Sequence, residues 1–303
     1  LQPGADGQHH VHLRPQPVGH RLWPEVDVVL AIGTRLQTQQ MVWGMDSRLK
    51  VIRIDADADE IERWAPPEIA LCAQAHEVLP ALAGRVAAQA GARADRADEI
   101  ATHREAIDQA IAFLRPQLDF LQAIRETLPE DGLLVEEMTQ VGYVSRFGFP
   151  VHRPRTFLST GYQGTLGWGY ATALGAKAAL PHRAVVSLNG DGGFMFNVQE
   201  LATAAQFDLG VIAIVFDDGG FGNVRRLQQA QFGDRPMACD LINPDFVRLA
   251  ESFGVAGHRA STPEQLRDVL ARAIPAGRPA LVHVPVGTMP DPWKFLNLPR
   301  NRG

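Results

Sequence analysis

The chain has 303 residues, of which 46% are hydrophobic and 21% are charged, and its net charge at neutral pH is −5. This composition excludes a disordered chain and favours a globular protein of about two domains. The pI of about 6.1 argues against a nucleic-acid-binding surface, and no apolar run approaches the ~18 residues of a membrane-spanning helix. Two cysteines, Cys72 and Cys239, cannot form a disulfide framework, so a reducing, cytoplasmic location is predicted. The first residue is Leu1 rather than Met, a pattern typical of a fragment or a processed product.

The first 21 residues contain three prolines and no hydrophobic period, which predicts an irregular segment. Its four histidines leave metal binding as an alternative. We favour no metal there, because no cysteine or carboxylate lies at a useful spacing. These histidines are His9, His10, His12 and His20.

Two short apolar runs follow, at 26–32 and 50–54, and they predict a parallel pair of strands buried on both faces. The residues between them can hold a crossover helix. Asp55 ends the second run, where an acid can bind a ribose hydroxyl. The turn after the first run, Gly33-Thr34-Arg35, lacks the dinucleotide-binding glycine pattern. Asp55 is therefore predicted to end a strand structurally, and a nucleotide-binding module is the weaker alternative.

Helical spacing of apolar residues follows at 77–90 and, after a small, charged segment at 91–98, at 100–127, where Pro116 must kink or split the helix. From 128 onward, strands and helices alternate. Strands are predicted at 133–135, 156–158, 184–188, 211–216 and 280–285, and helices at 167–180, 198–207, 244–253 and 263–273. This alternation predicts an α/β fold with doubly wound, mainly parallel sheets, the last strand closing the sheet. The predicted organisation is an irregular segment 1–21, a partial central domain 22–95, a helical linker 96–127 and an α/β domain 128–303.

A glycine-rich turn, Gly190-Asp191-Gly192-Gly193, follows the predicted strand 184–188. Its glycines let the backbone approach a ligand, and a helix predicted to begin near Phe196 or Asn197 adds a positive dipole end, so the turn predicts a phosphate site. A carboxylate repels phosphate unless a divalent cation lies between them. Mg²⁺ bridges carboxylates and phosphates in this way.

A second acidic turn, Asp217-Asp218-Gly219-Gly220, ends the next strand. Parallel strands bring both turns to the same edge of the sheet, where α/β proteins bind ligands. Asp191, Asp218 and a backbone carbonyl of Gly220, with phosphate oxygens and water, would complete a six-coordinate Mg²⁺ site.

The spacing of these two turns resembles the thiamine diphosphate motif that runs from GDG to NN. Residues 161–169, GYQGTLGWG, resemble the preceding loop in the acetolactate synthase, pyruvate oxidase and benzoylformate decarboxylase group. The resemblance extends from residue 22 to about 290. It implies a thiamine diphosphate-binding fold with part of a Rossmann-like central domain, and a 2-keto acid carboligase or decarboxylase that uses thiamine diphosphate and Mg²⁺.

The resemblance also implies individual roles. Asp191, Asp218 and the Gly220 carbonyl would hold Mg²⁺, and the backbone of Gly192 and Gly193 the diphosphate. The Gly164 carbonyl would meet the 4′-amino group, and Leu166 would support the bent cofactor, although ordinary core packing is its alternative. The full predicted cofactor set is Gly164, Leu166, Gly190, Asp191, Gly192, Gly193, Asp218, Gly220 and Phe221.

Three segments depart from the family pattern. Asp217-Asp218 replaces the Asn pair, which keeps an oxygen ligand and adds charge. Val141-Gly142-Tyr143-Val144 stands where acetolactate synthases carry Gln-His after Val-Gly, and 33–39 lacks their paired aspartates. The last two changes argue against FAD binding and against strict acetolactate synthase identity.

No segment resembles the family's pyrimidine-binding domain, which carries the catalytic glutamate. The catalytic residue is therefore unassigned, with Glu136 and Glu137 candidates by chemistry alone. We expect a homodimer or homotetramer, or a partner chain that supplies this domain, and no turnover by the chain alone. The alternative is a non-catalytic or regulatory partner subunit. The substrate is expected to be a small 2-keto acid, whose side chain the sequence does not identify. Residues 224–227 either close over the bound substrate or form an ordinary helix with a basic face.

Overall fold

A computed structural model describes residues 17–63, 66–89, 91, 95–161, 163–296 and 298–303. His9, His10 and His12, which belong to the predicted irregular segment, lie outside these residues. The described chain forms two compact units. One comprises 17–111 with Trp293–Gly303, and the other comprises Ala112–Pro292. Among the helices in the described ranges, none has the length and hydropathy needed to cross a membrane.

The first unit contains three parallel strands in the order β1-β2-β3. They are β1 (Val28–Ile32), β2 (Lys50–Asp55) and β3 (Ile69–Cys72). β3 was not predicted: its sequence, IALC, is apolar but only four residues long, and all four residues are exposed. Between β1 and β2 the described backbone forms only a single π-helical turn, Gln39–Trp43, instead of a full crossover helix. The helices of this unit are α1 (Pro17–Leu22), α2 (Ala58–Glu62), α3 (Ala75–Gln89) and α4 (Ala97–Ile111).

Indole rings form the core of the first unit, where Trp23 and Trp43 meet edge to face. The His20 ring meets Trp43 edge to face, and its Nε2 atom lies 2.7 Å from the Pro299 carbonyl oxygen, so both the ring and one of its nitrogens have partners. The Asp55 carboxylate accepts the backbone N–H of residue 57, as expected for a structural strand end.

The second unit is built on a parallel sheet whose described strands run in the order β5-β4-β6-β7-β9-β8. The strands are β4 (Leu133–Glu136), β5 (Phe157–Leu158), β6 (Val185–Gly190), β7 (Val211–Asp217), β8 (Ala256–Arg259) and β9 (Ala280–Pro285). The prediction of an α/β fold with mainly parallel sheets is confirmed. One detail was wrong: β9 does not close the sheet, because β8 pairs with it and forms the edge.

The helices of this unit are α5 (Gln117–Thr127), α6 (Gln140–Gly148), α7 (Trp168–Ala179), α8 (Asp191–Met195), α9 (Glu200–Gln206), α10 (Gly222–Gln231), α11 (Phe246–Ser252) and α12 (Pro263–Ala276); α13 (Trp293–Leu296) belongs to the other unit. The predicted segment 100–127 is split: Pro116, which cannot donate a helical hydrogen bond, caps α5.

The central strands β6 and β7 are buried along almost their whole length. Burial on both faces explains why β7 is apolar from Val211 to Phe216 and β6 is mostly apolar. Burying each large apolar side chain stabilises the fold by about 1.5–3 kcal/mol. In the strand order, β4 lies between β5 and β6, the next two strands along the chain, so the direction of the strand order reverses there. Ligands bind in parallel sheets at such a reversal, beyond the carboxyl ends of the strands.

Candidate functional site

A cavity of about 290 Å³ lies beyond the carboxyl ends of β4, β6 and β7. All nine residues of the predicted cofactor set line it, so the fold brings together residues from three separate chain segments. Their roles stay predictions. The cavity is also lined by Met138, Thr139, Gln140, Tyr143, Gly222, Asn223 and Val224.

The first turn passes directly from β6 into α8, which begins at Asp191. The predicted helix start near Phe196 was therefore too late. Gly192 and Gly193 lie in the first turn of α8, whose backbone N–H groups have no partner within a helix. A Cβ at Gly192 would overlap the Phe221 ring, and one at Gly193 would overlap Glu137 Oε1. Close packing therefore requires glycine at both positions.

Asp191 is only 2% exposed. Its Oδ2 atom accepts hydrogen bonds from Asn243 Nδ2 at 2.6 Å and from the Gly220 backbone N–H at 3.1 Å. Burial raises the pKa of Asp191 to about 6, and the neighbouring carboxylates of Asp217 and Asp218 act in the same direction. A cation placed beside Asp191 would offset both costs.

Asp218 forms the second carboxylate of the cavity. Gln140 Nε2 donates to its Oδ2 at 2.7 Å, and Gln140 Oε1 accepts the Met289 N–H at 2.9 Å. Burial raises the pKa of Asp218 above its usual range. Gln140 was missed by the sequence analysis, which singled out the next residues along the chain. Of those, Val141 is fully buried, whereas Tyr143 lines the cavity.

Asp217 is held differently. Its Oδ1 accepts from Asn243 Nδ2 at 2.8 Å and from the Gly219 N–H at 3.1 Å, and its Oδ2 lies 2.9 Å from His283 Nε2. Burial alone would raise the pKa of Asp217, but the hydrogen bonds from His283 and Asn243 outweigh it and lower the pKa. Both oxygens are thus committed to protein donors, which distinguishes Asp217 from Asp218.

The second turn is fixed by a short antiparallel contact. The Phe221 N–H donates to the Cys239 carbonyl at 2.8 Å, and the Leu241 N–H donates to the Gly219 carbonyl at 2.9 Å. Helix α10 follows, and in it Arg225 pairs with Asp240 at 2.6 Å while Val224 lines the cavity. Residues 224–227 are therefore helical, with one apolar side chain at the cavity.

A buried glutamate supports the loop that carries Gly164 and Leu166. The N–H groups of Gly167 and Gly169 donate to the two carboxylate oxygens of Glu137, each at 2.8 Å. Burial raises the pKa of Glu137, and these two amides oppose the shift. Because both of its oxygens bind backbone, Glu137 serves as an anchor for the loop.

The neighbouring Glu136 is equally buried. Its Oε1 accepts from Arg146 Nε at 3.0 Å and Nη2 at 2.7 Å, and Arg146 also donates to Thr160 Oγ1 at 3.1 Å. Neither Glu136 nor Glu137 lines the cavity. The two glutamates considered as catalytic candidates by chemistry therefore bind Arg146 and backbone N–H groups rather than line the cavity.

Among the described residues, no group of three or more His, Cys, Asp or Glu side chains forms a metal site. The predicted magnesium site instead uses two carboxylates, Asp191 and Asp218, and the backbone oxygen of Gly220. All three line the same cavity.

Comparisons with known proteins identify the family of the chain. Residues 138–284 match the family model described as the thiamine pyrophosphate enzyme, C-terminal TPP binding domain. A probable acetolactate synthase large subunit of Methanocaldococcus jannaschii is 33% identical over 287 residues, covering 90% of this chain and 48% of the relative. A probable 2-ketoarginine decarboxylase of Pseudomonas aeruginosa is 33% identical over 264 residues, covering 86% and 46%.

Among solved structures, the thiamine diphosphate-dependent 4-hydroxybenzoylformate decarboxylase of Rhodococcus jostii RHA1 superimposes with a TM-score of 0.69 at 24% identity, over 86% of this chain and 49% of that one. This likeness supports the fold alone. The chain spans about half the length of the curated relatives it matches. The matched residues 138–284 contain both acidic turns and the loop at 161–169, and they begin one residue after Glu137, which anchors that loop. The chain belongs to the thiamine pyrophosphate enzymes and carries their C-terminal cofactor-binding domain.

Proposed function

We propose that this chain holds thiamine diphosphate and Mg²⁺ as part of an enzyme that acts on a 2-keto acid, as a carboligase or a decarboxylase. The observation that supports this most directly is the meeting of two acidic, glycine-rich turns in one cavity. There, the buried carboxylate of Asp191 lies near the half-buried carboxylate of Asp218, whose negative charge raises the pKa of Asp191 further. The similar proteins point the same way, since their names denote acetolactate synthesis and 2-ketoarginine decarboxylation.

The residues present fit both groups. Asp191, Asp218 and the Gly220 carbonyl offer only oxygen ligands, the type that Mg²⁺ prefers. Gly192 and Gly193 present backbone N–H groups at the start of α8, and neighbouring atoms leave no space for a side chain at either position. In this arrangement Mg²⁺ would be held between the two carboxylates and the diphosphate.

When bound, thiamine diphosphate supplies the carbanion and the electron sink that 2-keto acid chemistry needs. The chain's own residues bind and orient it. Leu166 is a half-buried apolar side chain on the cavity wall, suited to packing against a ring, and Glu137 fixes the loop that carries it. Tyr143 closes another side, and burial raises the pKa of its hydroxyl to about 12, so it stays protonated at neutral pH.

One observation favours a second candidate function, that of a non-catalytic or regulatory partner subunit. In the part of the chain that the structure describes, no glutamate lines the cavity. We propose that the catalytic glutamate comes from a pyrimidine-binding domain outside these 303 residues, because a second copy of the same sequence would bring no such domain. Assembly as a homodimer or homotetramer, or with a partner chain that supplies this domain, stays a prediction. FAD is not part of the proposal, and a cytoplasmic location stays a prediction.

Calorimetric titration of thiamine diphosphate into the chain, with and without Mg²⁺, tests the proposal. We expect binding to require Mg²⁺ and to weaken on the order of 100-fold or more in Asp191→Asn, which keeps the shape but removes the charge. Asp131→Asn, at an exposed ion pair 3.9 Å from Arg183, is the control and should bind normally. Metal-independent binding, or normal binding by folded Asp191→Asn, would refute the proposal. Measuring 2-keto acid turnover by the chain alone separates an enzyme from a partner subunit.

A further inference from the structure

One amide lies between two carboxylates at the metal end of the cavity. Asn243 Nδ2 donates to Asp191 Oδ2 at 2.6 Å and to Asp217 Oδ1 at 2.8 Å. An amide nitrogen carries two hydrogens, and both are used here. Asn243 lies between β7 and α11, outside the two turns and 52 residues from Asp191. It therefore links the two turns from a third segment.

Asp217 serves this amide as a fixed anchor. Its second oxygen lies 2.9 Å from His283 Nε2, and the His283 ring packs at 5.3 Å from the ring of Phe246. His283 is 6% exposed and lies on β9, which pairs with β7. A donor on each oxygen holds Asp217 in one orientation and satisfies its charge without a metal.

We propose that Asn243 is a positioning residue for the cation, fixing the Asp191 carboxylate by bridging it to Asp217, which His283 holds from its other oxygen. The inference rests on the proposed function, because it concerns the cation that Asp191 would bind. It explains the departure from the family's Asn pair: the first aspartate anchors the bridge, while the second, Asp218, faces the cavity.

The hydrogen bonds give this arrangement a physical consequence. A carboxylate free to rotate must be ordered when a cation binds, whereas Asp191 is already held by Asn243 and Gly220 through the same oxygen, Oδ2. Groups that orient metal ligands typically contribute about 10- to 100-fold to metal affinity. Loss of the Asn243 amide should therefore appear as weaker metal binding by the full chain.

Binding of Mn²⁺ alone, followed by the electron paramagnetic resonance signal of free Mn²⁺, tests this without turnover. We expect Asn243→Ala to weaken Mn²⁺ binding about 10- to 100-fold. Gln265→Ala, which removes an exposed amide bound to the Ser261 N–H, should leave it unchanged. If Asn243→Ala does not fold, Asn243→Ser, whose side chain is too short to bridge both carboxylates, replaces it with the same expectation.

A double-mutant cycle separates positioning from general support. If Asn243 acts through the anchor, its replacement by Ala should weaken Mn²⁺ binding by less than about threefold when Asp217 is already Ala. Additive losses, an effect of Asn243→Ala below about twofold, or no Mn²⁺ binding by the unmodified chain would each overturn the inference. Normal Mn²⁺ behaviour without any thiamine diphosphate binding would refute the proposed function and leave the positioning role standing.

Discussion

Removal of the buried carboxylate at Glu137 should destabilise the 112–292 unit and loosen the loop that carries Leu166. Two backbone N–H groups, those of Gly167 and Gly169, donate to it at 2.8 Å each, and the Glu137 side chain is fully buried. The two substitutions Glu137→Gln and Glu137→Ala remove these acceptors in steps.

The magnitudes follow from the number of donors left without a partner. Glu137→Gln keeps one acceptor oxygen and turns an NH₂ group toward the other donor. One buried backbone N–H therefore loses its acceptor, which should lower the free energy of unfolding by about 1–3 kcal/mol. Glu137→Ala leaves both N–H groups unpaired and empties the side chain's volume, at a cost of about 3–5 kcal/mol. Glu130→Gln, which alters an exposed ion pair with Arg153 at 3.3 Å, should cost less than about 1 kcal/mol.

Urea unfolding followed by circular dichroism measures these free energies, and hydrogen exchange at the Gly167 and Gly169 amides reports the loop directly. We expect exchange at both amides to accelerate in Glu137→Ala. A destabilisation by Glu137→Ala below about 1 kcal/mol, or unchanged exchange at both amides, would refute the anchoring role.

Three further predictions concern other parts of the molecule. Gly193→Ala should lower the thermal unfolding midpoint and abolish cofactor binding by calorimetry, because its Cβ overlaps a carboxylate oxygen; Gly175→Ala, with nothing within 4 Å, is the control, and equal behaviour of the two would contradict the reasoning. Arg146→Ala should cost about 3–5 kcal/mol in urea unfolding, because it leaves the buried charge of Glu136 unpaired, and a loss under about 1 kcal/mol would count against it. Burial lowers the pKa of His258, so the unfolded chain binds this proton first and the contribution of His258 to stability should fall as the pH drops below about 6.5. Asp191, whose pKa burial raises to about 6, contributes in the opposite direction. The free energy of unfolding of the unmodified chain relative to His258→Asn should therefore rise between about pH 5 and 7, and a pH-independent difference would exclude this origin.

The interior strands could be predicted well because burial on both faces leaves a continuous apolar signal. β9 occupies the predicted residues, Ala280–Pro285. β8 was missed because its sequence, AGHR, contains a glycine and two polar residues and lies half-exposed at the sheet edge. Such a strand is held by pairing with its neighbour, which local sequence does not record.

The start of the helix at Asp191 could not be predicted from the intrinsic helix propensities of its residues. Two glycines in its first turn favour a later start, because glycine costs about 1 kcal/mol in a helix interior. Tertiary packing overrides that cost here, since Phe221 and Glu137 occupy the space where side chains would lie. Local composition therefore predicted the turn and misplaced the helix.

The candidate site could be predicted only where its residues fall within motifs. Asp191 and Asp218 each follow a strand of the same sheet, so the position of both carboxylates follows from topology. Gln140, Asn243 and His283 reach the same cluster from distant segments, and they contact it through hydrogen bonds between residues 26 to 78 positions apart. No spacing rule connects such residues before the chain has folded.

The parallel register of β6 and β7 also bears on how this site tolerates changes in chain length. Gly190 lies opposite Phe216 across the two strands, so one inserted residue in either strand would turn each following side chain to the other face and separate the acidic turns. The connection through α9, by contrast, runs between the strands and can gain or lose residues without altering where either strand ends. Insertions and deletions should therefore be tolerated in that connection, whereas the ends of β6 and β7 should keep a constant length because they set the positions of the two acidic turns.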